Sequence, residues 1–169
     1  MLLPPMATLD DRLLLTMRTR GHAPAIERFS IALGKTANNG AIWFAIGIVL
    51  AIVDSSNREA WLICAVLGPV AIGVNYLVKL AVRRPRPILD GLPPLGGAPS
   101  SLSFPSAHAT SSFAVATAMA RVEPVAAIAF VLAAALALGR PYLGMHYPSD
   151  VLAGALLGVA LGLVVPLSL

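Results

Sequence analysis

Charge is scarce in this chain and cysteine is nearly absent. Only 12% of the 169 residues are charged, about half the share of an ordinary soluble domain. Cys64 is the single cysteine, so no disulfide closes within the chain. Its apolar neighbours make it a small buried hydrophobe rather than a reactive thiol. No Cys/His cluster has zinc spacing. The stretch Met1 to Asp10 lacks a basic segment followed by a long apolar run, so no cleavable leader is expected. There is no low-complexity tract and no domain linker, which leaves residues 1–169 as one domain. These absences exclude a disulfide scaffold and a zinc module. A net charge of +4 suits anionic lipid surfaces but is common in membrane proteins; no nucleic-acid partner is expected.

What is abundant is apolar sequence. The chain is 57% hydrophobic with a mean hydropathy of +0.81, the composition of an integral membrane protein. A crossing takes about 20 apolar residues. Five runs approach that length: 40–53, 60–82, 106–120, 124–138 and 151–167. The fold class is therefore all-α, a polytopic membrane helical bundle of five to six spans. Residues 1–38 read differently. Leu9, Leu13 and Leu14 alternate with Asp10, Asp11, Arg12 and Arg18, and Ile26, Phe29, Ile31 and Leu33 with Glu27, Arg28 and Lys35. That is the pattern of amphipathic helices lying at the interface; the alternative is that 25–33 enters a sixth span. The bundle proper is 39–169. Gly154, Gly158 and Gly162 recur every four residues in the last run, a spacing that lets helices approach closely, within the bundle or at a dimer face. The oligomeric state is open. The loop 88–104 is rich in Gly, Pro and Ser; it is either a lid or a connector.

Three clusters at the edges of these runs carry chemistry. Lys79 ends the second run, Arg83 follows four residues later, and Arg86 lies between Pro85 and Pro87. Arginine suits bidentate phosphate binding and lysine supplies a point charge, although cations at span ends also signal topology. Pro105 opens the next helix, which leaves the N–H groups of Ser106, Ala107 and His108 free to bind an anion. His108 beside them is placed to act as a general acid. Arg140 precedes Pro141 and is expected to leave the helix there. Pro148 then starts the last helix, with His146 just before it and Asp150 in its first turn. Asp150 would hold one imidazole nitrogen of His146 and leave the other as nucleophile. Because spans alternate in direction, all three clusters fall on one membrane face. The turns 54–59 and 120–124, on the other face, carry no such group.

These residues resemble the type 2 phosphatidic acid phosphatase family, which shares its core with vanadium haloperoxidases. Its signatures K-x6-R-P, P-S-G-H and S-R-x5-H-x3-D match at Lys79, Arg86 and Pro87; at Pro105, Ser106 and His108; and at Arg140, His146 and Asp150. Ala107 replaces the family glycine and Gly139 the family serine. The resemblance implies a metal-free, cofactor-free lipid phosphatase in which His146 forms a phosphohistidine, Asp150 orients it and His108 protonates the leaving oxygen. Lys79, Arg86, Arg140, Ser106 and the Ala107 N–H would hold the phosphate. Arg83 and Arg84 are extra cations without an assigned contact. The substrates implied are phosphorylated lipids: polyprenyl diphosphate, decaprenylphosphoryl-phosphoribose, phosphatidic acid or phosphatidylglycerol phosphate. The stretches 102–111 and 144–150 are similar to the decaprenylphosphoryl-phosphoribose phosphatases, with an undecaprenyl-diphosphate or general lipid phosphatase as the nearest competitor. The competing readings are a non-catalytic phosphate-binding transport or scaffold protein and a vanadate-dependent haloperoxidase. The location implied is a bacterial plasma membrane. Arg12, Arg18, Arg20, Arg28 and Lys35 on the site face, against Arg58 and Arg121 opposite, turn that face to the cytoplasm by positive-inside counting.

Overall fold

The computed structural model describes residues 8–97 and 101–167. The first seven residues and the middle of the 88–104 loop lie outside that range. Seven α-helices follow in order: α1 Leu9–Thr19, α2 Pro24–Thr36, α3 Ala41–Val53, α4 Arg58–Val82, α5 Ala107–Val122, α6 Ala129–Tyr142 and α7 Pro148–Val164. There is no strand among the described residues.

Local chemistry sets the boundaries. Thr8 caps α1: its hydroxyl accepts from the Asp11 N–H while Asp11 reaches back to the Thr8 N–H, a reciprocal capping box. Pro24 and Pro148 open α2 and α7, where a missing N–H costs nothing. Between α2 and α3, Asn39 and Gly40 take left-handed backbone angles (φ 55° and 76°), and the two helices meet at a 53° bend. Arg83 ends α4 in the same left-handed region (φ 54°). It therefore does not share a helical face with Lys79, as the spacing suggested, but turns outward and donates to the Leu80 carbonyl.

The centre of the bundle is α5, the least greasy long helix. Ala109, Thr110, Ser112, Ala114, Ala116 and Ala118 on it are fully buried. Small residues allow this. On α7, Gly154 and Gly162 face the carbonyls of Ser106 and Ala114; a Cβ on either glycine would come within 2.6 Å and 2.5 Å of those oxygens. Gly158 faces the Thr110 carbonyl between them. The glycine stripe is thus used inside the bundle, and a larger side chain would wedge α7 off α5. Ser112 and Thr110 on α5 are paired across helices in the dry interior. Trp43 Nε1 donates to Ser112 Oγ (2.9 Å), and Asn75 Nδ2 to Thr110 Oγ1 (2.9 Å) and the Pro105 carbonyl (3.2 Å).

The outer surface is apolar: Leu62, Val66, Val70 and Leu77 on α4, Val131 and Leu138 on α6, and Leu152, Leu156 and Leu163 on α7 are all exposed. Such a belt suits hydrocarbon rather than water. By length and hydropathy Arg58–Val82 and Pro124–Tyr142 can each cross a bilayer, and the bent pair Pro24–Thr36 with Asn38–Val53 makes a third if it is one span. Leu9 and Leu13 on α1 and Ile26 and Phe29 on α2 are exposed as well, which fits helices lying at the interface. Leu14 is buried and anchors α1 to the bundle.

Candidate active site

The site forms where the C-terminal ends of α4 and α6 meet the N-terminal ends of α5 and α7. A cavity of about 180 Å³ is lined there by Lys79, Arg86, Ala107, His108, Arg140 and His146, with Ser101, Met145 and Asn38 at its edges. Every sequence-selected side chain except Ser106 and Asp150 lines it, and those two pack directly behind.

His146 sits in the turn between α6 and α7 and is only 4% exposed. Its Nδ1 is 3.5 Å from Asp150 Oδ2 and 3.4 Å from Ser103 Oγ. Its Nε2 is 3.2 Å from Arg86 Nη1. A guanidinium nitrogen only donates, so this contact requires the lone pair on Nε2. The proton then resides on Nδ1, toward Asp150 and Ser103. Burial pushes the imidazole down to about 4, with Asp150 opposing and Arg86 and Lys79 adding to the depression. The ring is thus neutral, with its lone pair directed at the cations.

Asp150 is fully buried. Its Oδ2 accepts from Ser103 Oγ and from the Tyr147 N–H (2.9 Å), and its Oδ1 from Arg84 Nη1 (2.9 Å). Neither Ser103 nor Arg84 belongs to the motif positions. Arg84 was legible only as a surplus cation, and Ser103 gave no signal beyond sitting two residues before Pro105.

The cations reach the cavity by different routes. Lys79 Nζ donates to the carbonyls of Leu102 (2.6 Å) and Ser103 (3.1 Å). Arg86 spans the cavity rim, with Nη1 on the Met145 carbonyl (2.6 Å) and Nε on the Ser101 carbonyl (2.8 Å); burial lowers its pKa from the ordinary arginine value. Arg140 does not leave its helix at Pro141. The helix continues to Tyr142; Pro141 forfeits the single bond to the Ala137 carbonyl, and the last turn still closes through the Leu143 N–H on the Gly139 carbonyl (3.0 Å). Its Nη2 donates to the Ser30 carbonyl of α2 (3.3 Å).

The start of α5 also departs from expectation. Ser106 is the N-cap rather than a helical residue, and its N–H is used by the Asp150 carbonyl (2.9 Å). The N–H groups of Ala107 and His108, in the first turn, make no such bond among the described residues. Two buried polar atoms beside the cavity, Ser106 Oγ and Arg140 Nε, have no hydrogen-bond partner there either. Unpaired buried donors are costly and mark a place where a ligand completes the network.

The N-terminal helices are closer to this site than an interfacial role required. The Gly34 carbonyl of α2 bonds His108 Nε2 (3.0 Å), and Gly34 lies so near the Arg140 guanidinium that a side chain there would collide with it. Asp10 of α1 bonds Arg84 (2.8 Å). A Cβ on Gly139, where the family serine would stand, would face Ser30 of α2 at 3.8 Å. The described parts of the 88–104 loop are packed rather than free: Leu95 N–H bonds the Leu143 carbonyl (2.9 Å) and the Pro93 carbonyl accepts from Arg18 (3.1 Å).

A buried neutral histidine backed by a carboxylate and surrounded by three cations has the donors and the lone pair that binding and attacking a phosphate require. Residues 58–169 match the PAP2 superfamily model. The decaprenylphosphoryl-5-phosphoribose phosphatase of Mycobacterium tuberculosis (strain H37Rv) is 40% identical over 123 residues, which is 73% of this chain and 69% of that protein. Undecaprenyl-diphosphatase BcrC of Bacillus subtilis (strain 168) is 27% identical over 111 residues, 64% of this chain and 58% of that protein. Among solved structures, Aquifex aeolicus LpxE superposes with a TM-score of 0.73 at 23% identity, covering 96% of this chain and 98% of LpxE; at that identity the likeness speaks to the fold. The chain belongs to the PAP2 superfamily. It is a phosphoric ester hydrolase.

Proposed function

We propose that this chain dephosphorylates a prenyl-linked membrane lipid through a phosphohistidine on His146. The observation that carries the reading is the two-sided setting of the His146 ring: Nδ1 faces Asp150 and Ser103, and Nε2 faces Arg86 across the cavity. In the first step Nε2 attacks phosphorus and the bond to the leaving oxygen breaks as His108, protonated when the bound phosphate offsets the cations around it, gives that oxygen its proton. In the second step His108 takes a proton from water, the water oxygen attacks phosphorus, and the N–P bond breaks to release inorganic phosphate. Asp150 stabilises the imidazolium character that His146 gains in the first step. Lys79, Arg86, Arg140 and the N–H groups of Ala107 and His108 bind the equatorial oxygens, where preorganised donors stabilise the developing charge. Ser106 Oγ and Arg140 Nε gain partners from the same phosphate. The bond from His108 Nε2 to the Gly34 carbonyl fixes the ring, so Nδ1 is the nitrogen left to exchange the proton.

The mycobacterial relative's name points to a prenylphosphoryl-pentose phosphate as substrate. Polyprenyl diphosphate, phosphatidic acid and phosphatidylglycerol phosphate are the comparison substrates. The test is phosphate release from each by purified protein, with and without EDTA. Activity on the prenyl-linked compounds that survives EDTA supports the reading; strict dependence on added Mg²⁺, or binding without turnover as in a transport or scaffold protein, contradicts it.

We also propose that residues 39–169 cross the bilayer five times through α3 to α7, with α1 and α2 on the site face, as one domain. Arg12, Arg28 and Lys35 on α1 and α2, with Arg20 just beyond α1, favour the cytoplasmic side for that face. Asp90, exposed in the loop on the site face, provides the test. In an Asp90→Cys, Cys64→Ala background, an impermeant maleimide should leave intact cells unlabelled. Labelling of intact cells would reverse the orientation.

A further inference from the structure

The helix α1 lies outside the stretch that matches the superfamily, 58–169, and lines no part of the catalytic cavity. Yet it is joined to Asp150 by a continuous chain of charged contacts. Arg84 is the middle member. Its Nη1 donates to Asp150 Oδ1 (2.9 Å) and to Ser149 Oγ (2.7 Å), while Nη2 donates to Asp10 Oδ2 (2.8 Å). Asp10 closes the ring from the other side: Oδ1 accepts the Ser149 N–H (3.0 Å) and Oδ2 the Ser149 hydroxyl. The guanidinium lies over the Tyr147 ring, 4.0 Å from its centroid. One planar fork is therefore shared by two carboxylates and cannot rotate without losing both.

We propose that Asp10, acting through Arg84, is a positioning residue for the Asp150 carboxylate that orients His146. The inference rests on the assignment of His146 and Asp150 made above. Asp150 is useful to His146 only while Oδ2 faces Nδ1, and that requires Oδ1 to be held on the opposite side. Arg84 supplies that hold, and without Asp10 its Nη2 end would lose its carboxylate partner, leaving Ser149 and the Tyr147 ring to hold the fork. Asp10 fixes the other end. Partial burial works against the Asp10 charge, but the hydrogen bonds from Ser149 and Arg84 keep its carboxyl below the usual range, so it is an anion at neutral pH. The N-terminal helix thus takes part in catalysis without touching substrate, and orienting partners of this kind carry sizeable rate effects when lost.

The test is steady-state phosphate release from a prenylphosphoryl-pentose phosphate by the purified full chain, with Asp10→Asn, Arg84→Gln, the double variant, Arg18→Gln and His146→Ala. A positioning role predicts that Arg84→Gln lowers kcat about 10- to 100-fold and Asp10→Asn about 5- to 10-fold, each with KM within about 2-fold of the parent. The double variant should be no slower than Arg84→Gln alone if Asp10 acts through Arg84, as proposed, rather than through its bonds to Ser149. Arg18→Gln removes another tie of α1, the bond to the Pro93 carbonyl, and should keep kcat. Multiplicative losses in the double variant would overturn the inference. So would a KM effect alone, or an Arg18→Gln loss as large as that of Asp10→Asn, which would reduce α1 to a structural strap. If His146→Ala abolishes turnover while Asp10→Asn and Arg84→Gln leave kcat unchanged, the positioning inference alone fails. If His146→Ala retains turnover, the assignment beneath it fails as well.

Discussion

The two ends of the helical bundle use charge in opposite ways. At the end opposite the site, Asp54 and Arg121 are satisfied locally. Asp54 accepts from Asn57 and from Trp61 Nε1 (2.9 Å each), closing the turn between α3 and α4. Arg121 donates to the carbonyls of Gly162 (2.7 Å) and Val165 (2.9 Å) and so caps the end of α7. The hollow at that end, about 610 Å³, is lined mainly by Trp43, Ile46, Leu50, Met119 and Leu132. At the site end, Lys79, Arg86 and Arg140 converge on one small cavity although like charges repel, and buried polar atoms there remain unpaired. A fold tolerates that cost where a bound anion removes it. Charge that ends on a helix terminus serves the fold, and charge that converges without a counter-ion serves a ligand.

Substitutions at the two ends should separate accordingly. The largest effect is expected from Arg140→Gln and Lys79→Gln, each lowering kcat/KM by roughly 10²- to 10³-fold while the folded protein persists, because each removes a donor aimed at the transferring phosphate. Similar losses from both would sharpen the contrast; full activity in either would break it. A smaller effect concerns pH. Burial has moved His146 from 6.5 to about 4, so its neutral, nucleophilic form is kept as pH falls through 6.5 and lost only near 4. The acid limb of kcat/KM from this group should therefore lie near pH 4. An acid limb near 6.5 that shifts in an Arg86→Gln variant would mean that His146 is not held in that buried setting. The smallest effect on activity is expected from Arg121→Gln at the far end. Turnover should stay within about 2-fold while the thermal midpoint drops, consistent with loss of a helix-end interaction worth about 1 kcal/mol.

Much of this was readable from the chain. The apolar runs located α3 to α7 to within a few residues, since hydrophobic length is a strong signal. Most of the motif residues line the cavity, and the alternating direction of the helices brings them to one end of the bundle. What escaped had physical reasons. Arg140 stays in its helix because Pro141 removes a single hydrogen bond and the last turn still closes after it. Arg83 turns away because α4 ends in a left-handed residue that no sequence rule marked, while its neighbour Arg84 turns in. Ser103 and the Asp10 contact depend on long-range packing between segments dozens of residues apart. The carbonyls of Ser30 and Gly34 could not have been found by residue type at all, because every residue has one. The amphipathic pattern of α2 identified a helix with one apolar face, but not that its inner face would bond His108 and Arg140.

The central claim is that His146 Nε2 is the atom that takes the phosphoryl group. Rapid quenching of turnover, followed by peptide mapping by mass spectrometry, addresses it directly. The account predicts a phosphoryl group on His146 during turnover, enriched when His108→Ala slows its hydrolysis with a good leaving group, and no trapped adduct or turnover in His146→Ala. Sustained phosphate release by His146→Ala, or an adduct on any other residue, would contradict it.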